Sequence, residues 1–196
     1  MSNVVAILLA AGESTRMGQL KALLPWNGTT LFEYQLTELE SSLVSDTIVV
    51  LGHHAEQLEP LLRGRGPRVV INADYRSGRS SSIRAGLSAI LTEPSAIVVM
   101  SVDQPRPAAT IDWLVREHLR RNVVITRPVY QGKHGHPPVF TGRLLNELRG
   151  VTEAGEGLKE ILSKHLSQIH DLDLDDPVVL LNLNSPADYE AALRRR

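Results

Sequence analysis

The sequence predicts an α/β fold with a largely parallel sheet and helices on both of its faces. Short runs rich in Val, Ile and Leu alternate with longer stretches at helical spacing. The short runs lack a polar face, as strands buried between two helical layers do. Strand, helix and strand follow one another repeatedly, so helices should cover both faces of the sheet. With 196 residues, 42% of them hydrophobic, and a formal net charge of -1, the chain fits a single domain, 1–196, with a sizeable core.

Six runs read as strands: Val4–Leu9, Thr47–Leu51, Arg68–Ile71, Ala96–Met100, Val123–Thr126 and Val178–Leu183. The first helix opens on a capping box, Thr30 to Glu33, and carries Phe32, Leu36, Leu39 and Leu43 on one face. Pro107 suits a first helical position, with Ile111, Leu114, Val115 and His118 at core spacing behind it. Ser185-Pro186-Ala187-Asp188 opens a last helix in the same manner. The stretch 128–166 breaks the rhythm with Gly132, Gly135, Pro137 and Pro138, and is expected to lie over the sheet as a substrate-side insertion.

Composition excludes several chemistries. The chain has no Cys, so disulfides, Cys-ligated zinc, iron–sulfur clusters and a Cys nucleophile are absent. Near-balanced charge gives no general pull toward nucleic acid or acidic membranes. The apolar run from Val4 to Ala11 is too short to span a bilayer. A cytoplasmic protein without a nucleic-acid or membrane partner is expected. The Asp171–Asp176 cluster lacks the glycine and the terminal glutamate of an EF-hand loop.

Ligands of open α/β sheets bind beyond the carboxyl ends of the strands, and three such ends are chemically unusual. Gly12, Ser14, Thr15, Arg16, Gly18 and Lys21 follow the first strand directly. Glycines admit close backbone approach, successive N–H groups form an anion nest, and a guanidinium and an ammonium add charge. That mixture suits a polyphosphate, although the spacing is neither a P-loop nor a dinucleotide fingerprint; an ordinary βα turn is the other reading. Asp103 closes a hydrophobic strand, where its carboxylate would either hold Mg²⁺ or cap the next helix. Asn182 and Asn184, two apart, would share a face and help ligate a metal, or serve as turn residues. Ser81 and Ser82 offer hydroxyls to a nucleoside, or simply start a helix. Lys133, His134 and His136 form a stiff polar loop that would meet an anionic substrate.

Together these segments resemble the MobA-like nucleotidyltransferases. The resemblance rests on Leu9-Ala-Ala-Gly-Glu-Ser-Thr-Arg-Met-Gly18 with Lys21-Ala-Leu-Leu-Pro25, Ser81–Gly86, Asp103-Gln-Pro105, Gly135–Phe140 and Asn184–Asp188, in the family's order over nearly the whole chain. The Gly-His-Pro segment narrows it to the molybdenum cofactor cytidylyltransferase-like branch. The resemblance implies a Rossmann-like three-layer sandwich of the nucleotide-diphospho-sugar transferase type, its mixed, mostly parallel sheet holding one antiparallel strand. It further implies that Leu9, Ala10, Ala11, Gly12, Ser14, Arg16, Met17, Gly18 and Lys21 hold the nucleotide, with Ser81 and Ser82 near the nucleoside. Arg16, Lys21 and Asp103 would be catalytic. Mg²⁺ would sit on Asp103 with Asn182 or Asn184, and Gly135, His136 and Pro137 would face the pterin. Ala11 stands where guanylyl-transferring relatives have glycine, which hints at CTP. The implied substrates are CTP, or another nucleoside triphosphate, and the molybdenum cofactor, with an apo-molybdoenzyme as recipient. Gly155–Lys159 departs from the family pattern on the acceptor side, which leaves a sugar or polyol phosphate acceptor, transfer from GTP, and a cofactor carrier without transfer activity as alternatives.

Overall fold

The computed structural model describes residues 2–194. The chain runs β1 (Val4–Ala10), β2 (Pro25–Trp26), β3 (Thr29–Thr30), α1 (Leu31–Glu40), β4 (Asp46–Leu51), α2 (Ala55–Leu58), β5 (Arg68–Ile71), α3 (Arg79–Ser88), β6 (Ala96–Ser101) and α4 (Ala108–Arg121). It continues through β7 (Ile125–Tyr130), β8 (Lys133–His134), β9 (Val139–Thr141), α5 (Leu145–Arg149), α6 (Leu158–Lys164), β10 (Ile169–Asp173) and α7 (Pro186–Arg194). The main sheet has the order β10-β7-β9-β6-β1-β4-β5, with β8 paired to β7. Every strand on that path is parallel to its neighbours except β9, which is antiparallel to both β6 and β7.

Alternation along the strands builds two cores. Val4, Ala6, Leu8 and Ala10 of β1 face Phe32, Leu36 and Leu39 of α1 and Ile111, Leu114 and Val115 of α4. Val5, Ile7 and Leu9 point to the other face, toward Ile83 and Leu87 of α3, Leu148 of α5 and Ile161 of α6. Each such aliphatic side chain contributes about 1.5–3 kcal/mol of burial. The β1 strand is covered on both faces along its whole length, so its carboxyl end has one rigid position.

Local signals set the helix ends. In α1, Thr30 Oγ1 accepts from Glu33 N at 3.2 Å, and the Glu33 carboxylate accepts from Thr30 N at 3.3 Å. The Thr30 and Thr29 hydroxyls hold the Glu33 carboxyl below its ordinary pKa. The helix stops at Glu40, so Leu43 lies beyond it and is exposed. Helix α4 starts one residue after Pro107, and its Ala108 N donates to the Glu38 carboxylate at 2.6 Å. Ile111, Leu114, Val115 and His118 are buried as the spacing requires. Ser185 and Asp188 exchange hydrogen bonds at the start of α7.

Three expectations are corrected. Val178–Leu183 is not a strand. Pro177 lacks an N–H, Asp176 caps Val178 N at 2.8 Å, and the chain forms a single 3₁₀ turn over Pro177–Leu180. The expected strand Val123–Thr126 lies two residues later, at Ile125 to Tyr130. The stretch 128–166 lies over the sheet only in part: α5 and α6 pack on its α3 face, while β9 sits within it, between β6 and β7. Val139, Phe140 and Thr141 are all buried, but three residues behind two prolines carry no alternation to recognise.

Candidate active site

The loop after β1 is folded by backbone geometry more than by side chains. Ser14 adopts a left-handed conformation with φ 55°, and Gly18 does so with φ 67°. Both bracket a 3₁₀ turn over Thr15–Met17, which leaves Gly12 and Arg16 exposed. Met17, Ala22 and Leu24 anchor the loop in the core on the α1/α4 face. Ser14 Oγ accepts from Lys21 N at 3.1 Å, which fixes the start of the second turn. Lys21 Nζ then meets Asp103 Oδ2 at 3.1 Å, across 82 residues of sequence.

Asp103 follows β6 and is held by its backbone. Gln35, fully buried on α1, donates through Nε2 to Ser101 O at 2.9 Å and Gln104 O at 3.0 Å. Leu183 N donates to Asp103 O at 2.8 Å and so brings the Asn182–Asn184 segment alongside. Asp103 does not cap a helix, since α4 begins five residues later with Glu38 at its first N–H. Between these segments lies an open cavity of about 370 Å³.

Twelve of the sequence-derived residues border this one cavity: Leu9, Ala10, Ala11, Gly12, Ser14, Thr15, Arg16, Lys21, Ser82, Asp103, Asn182 and Asn184. Asn182 and Asn184 reach it from an irregular segment and not from a strand, so period-two spacing is not what brings them there. Met17 is packed beneath the loop, and Gly18 turns the chain away from it. Ser81 is also outside the lining. Its hydroxyl donates to Asp74 O and Gly78 O and accepts from Asn72 Nδ2, which also reaches Ser82 Oγ. Gly135, His136 and Pro137 stand beside the cavity without lining it. The His136–Pro137 peptide is cis.

One residue that sequence reasoning missed ties these parts together. Arg106 is fully buried, and among the described residues no carboxylate hydrogen-bonds it, although the Asp103 and Asp176 charges act on it. Its Nε donates to His136 O at 2.8 Å, Nη1 to Pro105 O at 2.9 Å, and Nη2 to Val179 O and Leu181 O at 2.9 Å each. Burial presses its pKa down to about 9, and the guanidinium stays charged at neutral pH. The cation therefore clamps the Asp103 loop, the His136 loop and the Asn182 segment. The sole sequence hint was an arginine between two prolines. Arg79 and Tyr75 also line the cavity unforeseen. The His136 ring is accessible yet recessed beside the cleft. Its pKa falls to about 4, chiefly through desolvation and then through the Arg79 and Arg106 charges. At pH 7 the ring is neutral, so it can donate or accept a hydrogen bond but carries no charge.

The donor set fits a hard divalent cation. Among the described residues, the buried Asn182 Oδ1 has no hydrogen-bond partner, and Asn182 borders the same cavity as Asp103. One carboxylate with amide and phosphate oxygens is what Mg²⁺ favours, whereas clusters of three or more His, Cys, Asp or Glu are absent among the described residues.

Residues 6–169 match the model of the MobA-like NTP transferase domain. The chain belongs to that family. The match spans the loop after β1, Asp103 and the Gly135–Pro137 turn. Full-length relatives agree with it. The molybdenum cofactor cytidylyltransferase of Escherichia coli (strain K12) is 27% identical, over 100% of this chain and 98% of its own. The nicotine blue oxidoreductase of Paenarthrobacter nicotinovorans is 30% identical over 88% of each chain. The crystal structure of Rv0371c from Mycobacterium tuberculosis H37Rv superposes with a TM-score of 0.86 at 26% identity, covering 98% of both chains. Among the described residues no helix is long and apolar enough to cross a membrane.

Proposed function

We propose that this family member transfers CMP from CTP to the terminal phosphate of the molybdenum cofactor and releases pyrophosphate. The observation that carries the reading is the meeting of the glycine-bearing loop, the Lys21–Asp103 pair and the unpartnered Asn182 Oδ1 around one cavity. The 27% identity to a cytidylyltransferase over the whole chain supports the substrates, and Ala11 supports the pyrimidine.

In this reading the triphosphate lies on the backbone N–H groups of the Gly12–Gly18 loop, with Arg16 and Lys21 against its outer oxygens. The acceptor phosphate oxygen forms a bond to the α-phosphorus as the bond to the β-phosphate bridge oxygen breaks, and that oxygen leaves with the electron pair as pyrophosphate. A phosphate acceptor is already ionised at neutral pH, so no residue is required to remove a proton. Asp103 and the Asn182 amide oxygen would hold Mg²⁺, which when bound supplies charge neutralisation at the phosphate oxygens. Lys21 would leave Asp103 for the departing pyrophosphate as the cation arrives. Catalysis then rests on positioning and charge, for which the buried Gln35 and Arg106 clamps are suited.

A relative bearing an oxidoreductase name shows that this fold does not dictate one reaction. The test is pyrophosphate release with Mg²⁺ and CTP, GTP, ATP or UTP, with and without molybdenum cofactor, beside an assay of NADH and NADPH oxidation. Release from CTP only with the cofactor is expected. Release from GTP alone would overturn the base assignment, and nucleotide-independent reduction would overturn the reaction.

A further inference from the structure

The cavity wall carries three cationic side chains, and the nucleotide reading uses only two of them. Arg16 and Lys21 belong to the loop that packs on the α1/α4 face of the sheet. The third, Arg79, is the first residue of α3, which packs on the opposite face. It therefore enters the cavity from the other layer. We propose that Arg79 binds the attacking phosphate of the acceptor, which docks against α3 while the triphosphate docks against the Gly12–Gly18 loop. The proposal rests on the nucleotidyl-transfer reading above.

Several features make this guanidinium available. Among the described residues no hydrogen bond holds it; the residue is exposed, yet its recessed setting desolvates the charge and lowers its pKa, with the Asp103 and Glu153 charges acting in the opposite sense. Its charge also acts on His136, as that of Asp103 does, so it is within electrostatic reach of the loop of the acceptor side. The backbone that carries it is rigid. The Glu153 carboxylate accepts from Ser80 N at 2.9 Å, and a Cβ at Gly78 would fall 2.5 Å from Glu153 Cδ. The helix N-terminus is thus already satisfied by Glu153, and the free anion-binding group here is the guanidinium itself. Asn72 holds the next two residues through the Ser81 and Ser82 hydroxyls. A fork of N–H donors on a fixed helix start matches a phosphate monoester, which presents several oxygens to one partner.

Calorimetry of the full chain tests this without knowledge of the acceptor. The protein is loaded with α,β-methylene CTP and Mg²⁺, then titrated with phenyl phosphate, for the wild type, Arg79→Gln and Arg79→Lys. The expected result is an affinity for phenyl phosphate about tenfold to a hundredfold weaker in R79Q, as loss of charged hydrogen bonds implies. R79K should fall between, and the affinity for the CTP analogue should stay within about threefold in both, since charge persists on the triphosphate loop. Equal phenyl phosphate affinity in wild type and R79Q, or no phenyl phosphate binding to analogue-loaded wild type, would overturn the Arg79 assignment alone. A parallel loss of analogue affinity would place Arg79 in the nucleotide site and overturn it too. Failure of the wild type to bind the analogue would overturn the nucleotide reading and this proposal together.

Discussion

Replacing Arg106 with Met keeps the stem volume and removes the guanidinium. Four hydrogen bonds, to the carbonyl oxygens of Pro105, His136, Val179 and Leu181, are then lost, although Val179 O keeps His136 N as a donor at 2.9 Å. Hydrogen bonds to a charged group are worth about 1.5–3 kcal/mol each, so the gross loss is about 6–12 kcal/mol. The buried cation has itself lost its hydration, and its removal returns several kcal/mol of that penalty. A net destabilisation of about 3–5 kcal/mol follows. A domain stable by about 5–15 kcal/mol remains mostly folded. Urea denaturation at constant m-value measures the loss as a lower midpoint. The same variant should bind nucleotide with little change, because the Gly12–Gly18 loop does not depend on Arg106. It should lose turnover, because the Asn182 segment and the His136 loop are both released. Arg106→Lys keeps the charge but cannot serve carbonyls on three segments, so it should recover only part of either loss. A change below about 1 kcal/mol in R106M, with full turnover, would refute the clamp.

Other perturbations test other parts. Asp103→Asn keeps the shape of the cavity, and transfer should fall about a thousandfold or more while the thermal midpoint moves little; wild-type-like transfer would remove Asp103 from the cation site. Lys21→Ala should weaken CTP binding and lower kcat together, and an unchanged CTP affinity in calorimetry would count against its place on the triphosphate. His118 is buried against Thr126 at 3.0 Å, and burial lowers its pKa from 6.5 to about 4. The unfolded chain binds this proton first, so stability is full above pH 6.5 and falls as pH drops toward 4. The largest loss from this group is about 3 kcal/mol, read as a flatter stability profile in His118→Gln; identical slopes would refute it. Gly86→Ala should cost about 1–3 kcal/mol, because its Cβ would meet Ile7 Cγ2 at 2.6 Å and Val50 Cγ2 at 2.9 Å. An unchanged urea midpoint would show that α3 can shift from β1.

Much of this architecture was legible in local pattern. The apolar run of β1, the capping box of α1 and the face of α4 each depend on neighbours within a few residues, so periodicity and side-chain chemistry determine them. The make-up of the loop after β1 was legible for the same reason: glycines, hydroxyls, Arg16 and Lys21 lie together in sequence. Strand β10 was not, because at the edge of the sheet only Leu172 is buried and His170, Asp171 and Asp173 mask the alternation. The segment 178–183 misled because its valines and leucines satisfy the core without any strand pairing, while Pro177 turns the backbone.

The sequence by itself determined the α/β class, the main strands and helices, and the set of polar side chains on the loop after β1. Tertiary structure alone decided that Lys21 pairs with Asp103, that Asn182 borders the same cavity, that Arg106 joins three segments, and that Arg79 enters from the other layer. The physical reason is range. Secondary structure follows from contacts a few residues apart, whereas a guanidinium acquires its meaning from the carbonyls or the open space around it. For Arg106 those carbonyls lie as far as 75 residues along the chain, and no local pattern encodes that distance.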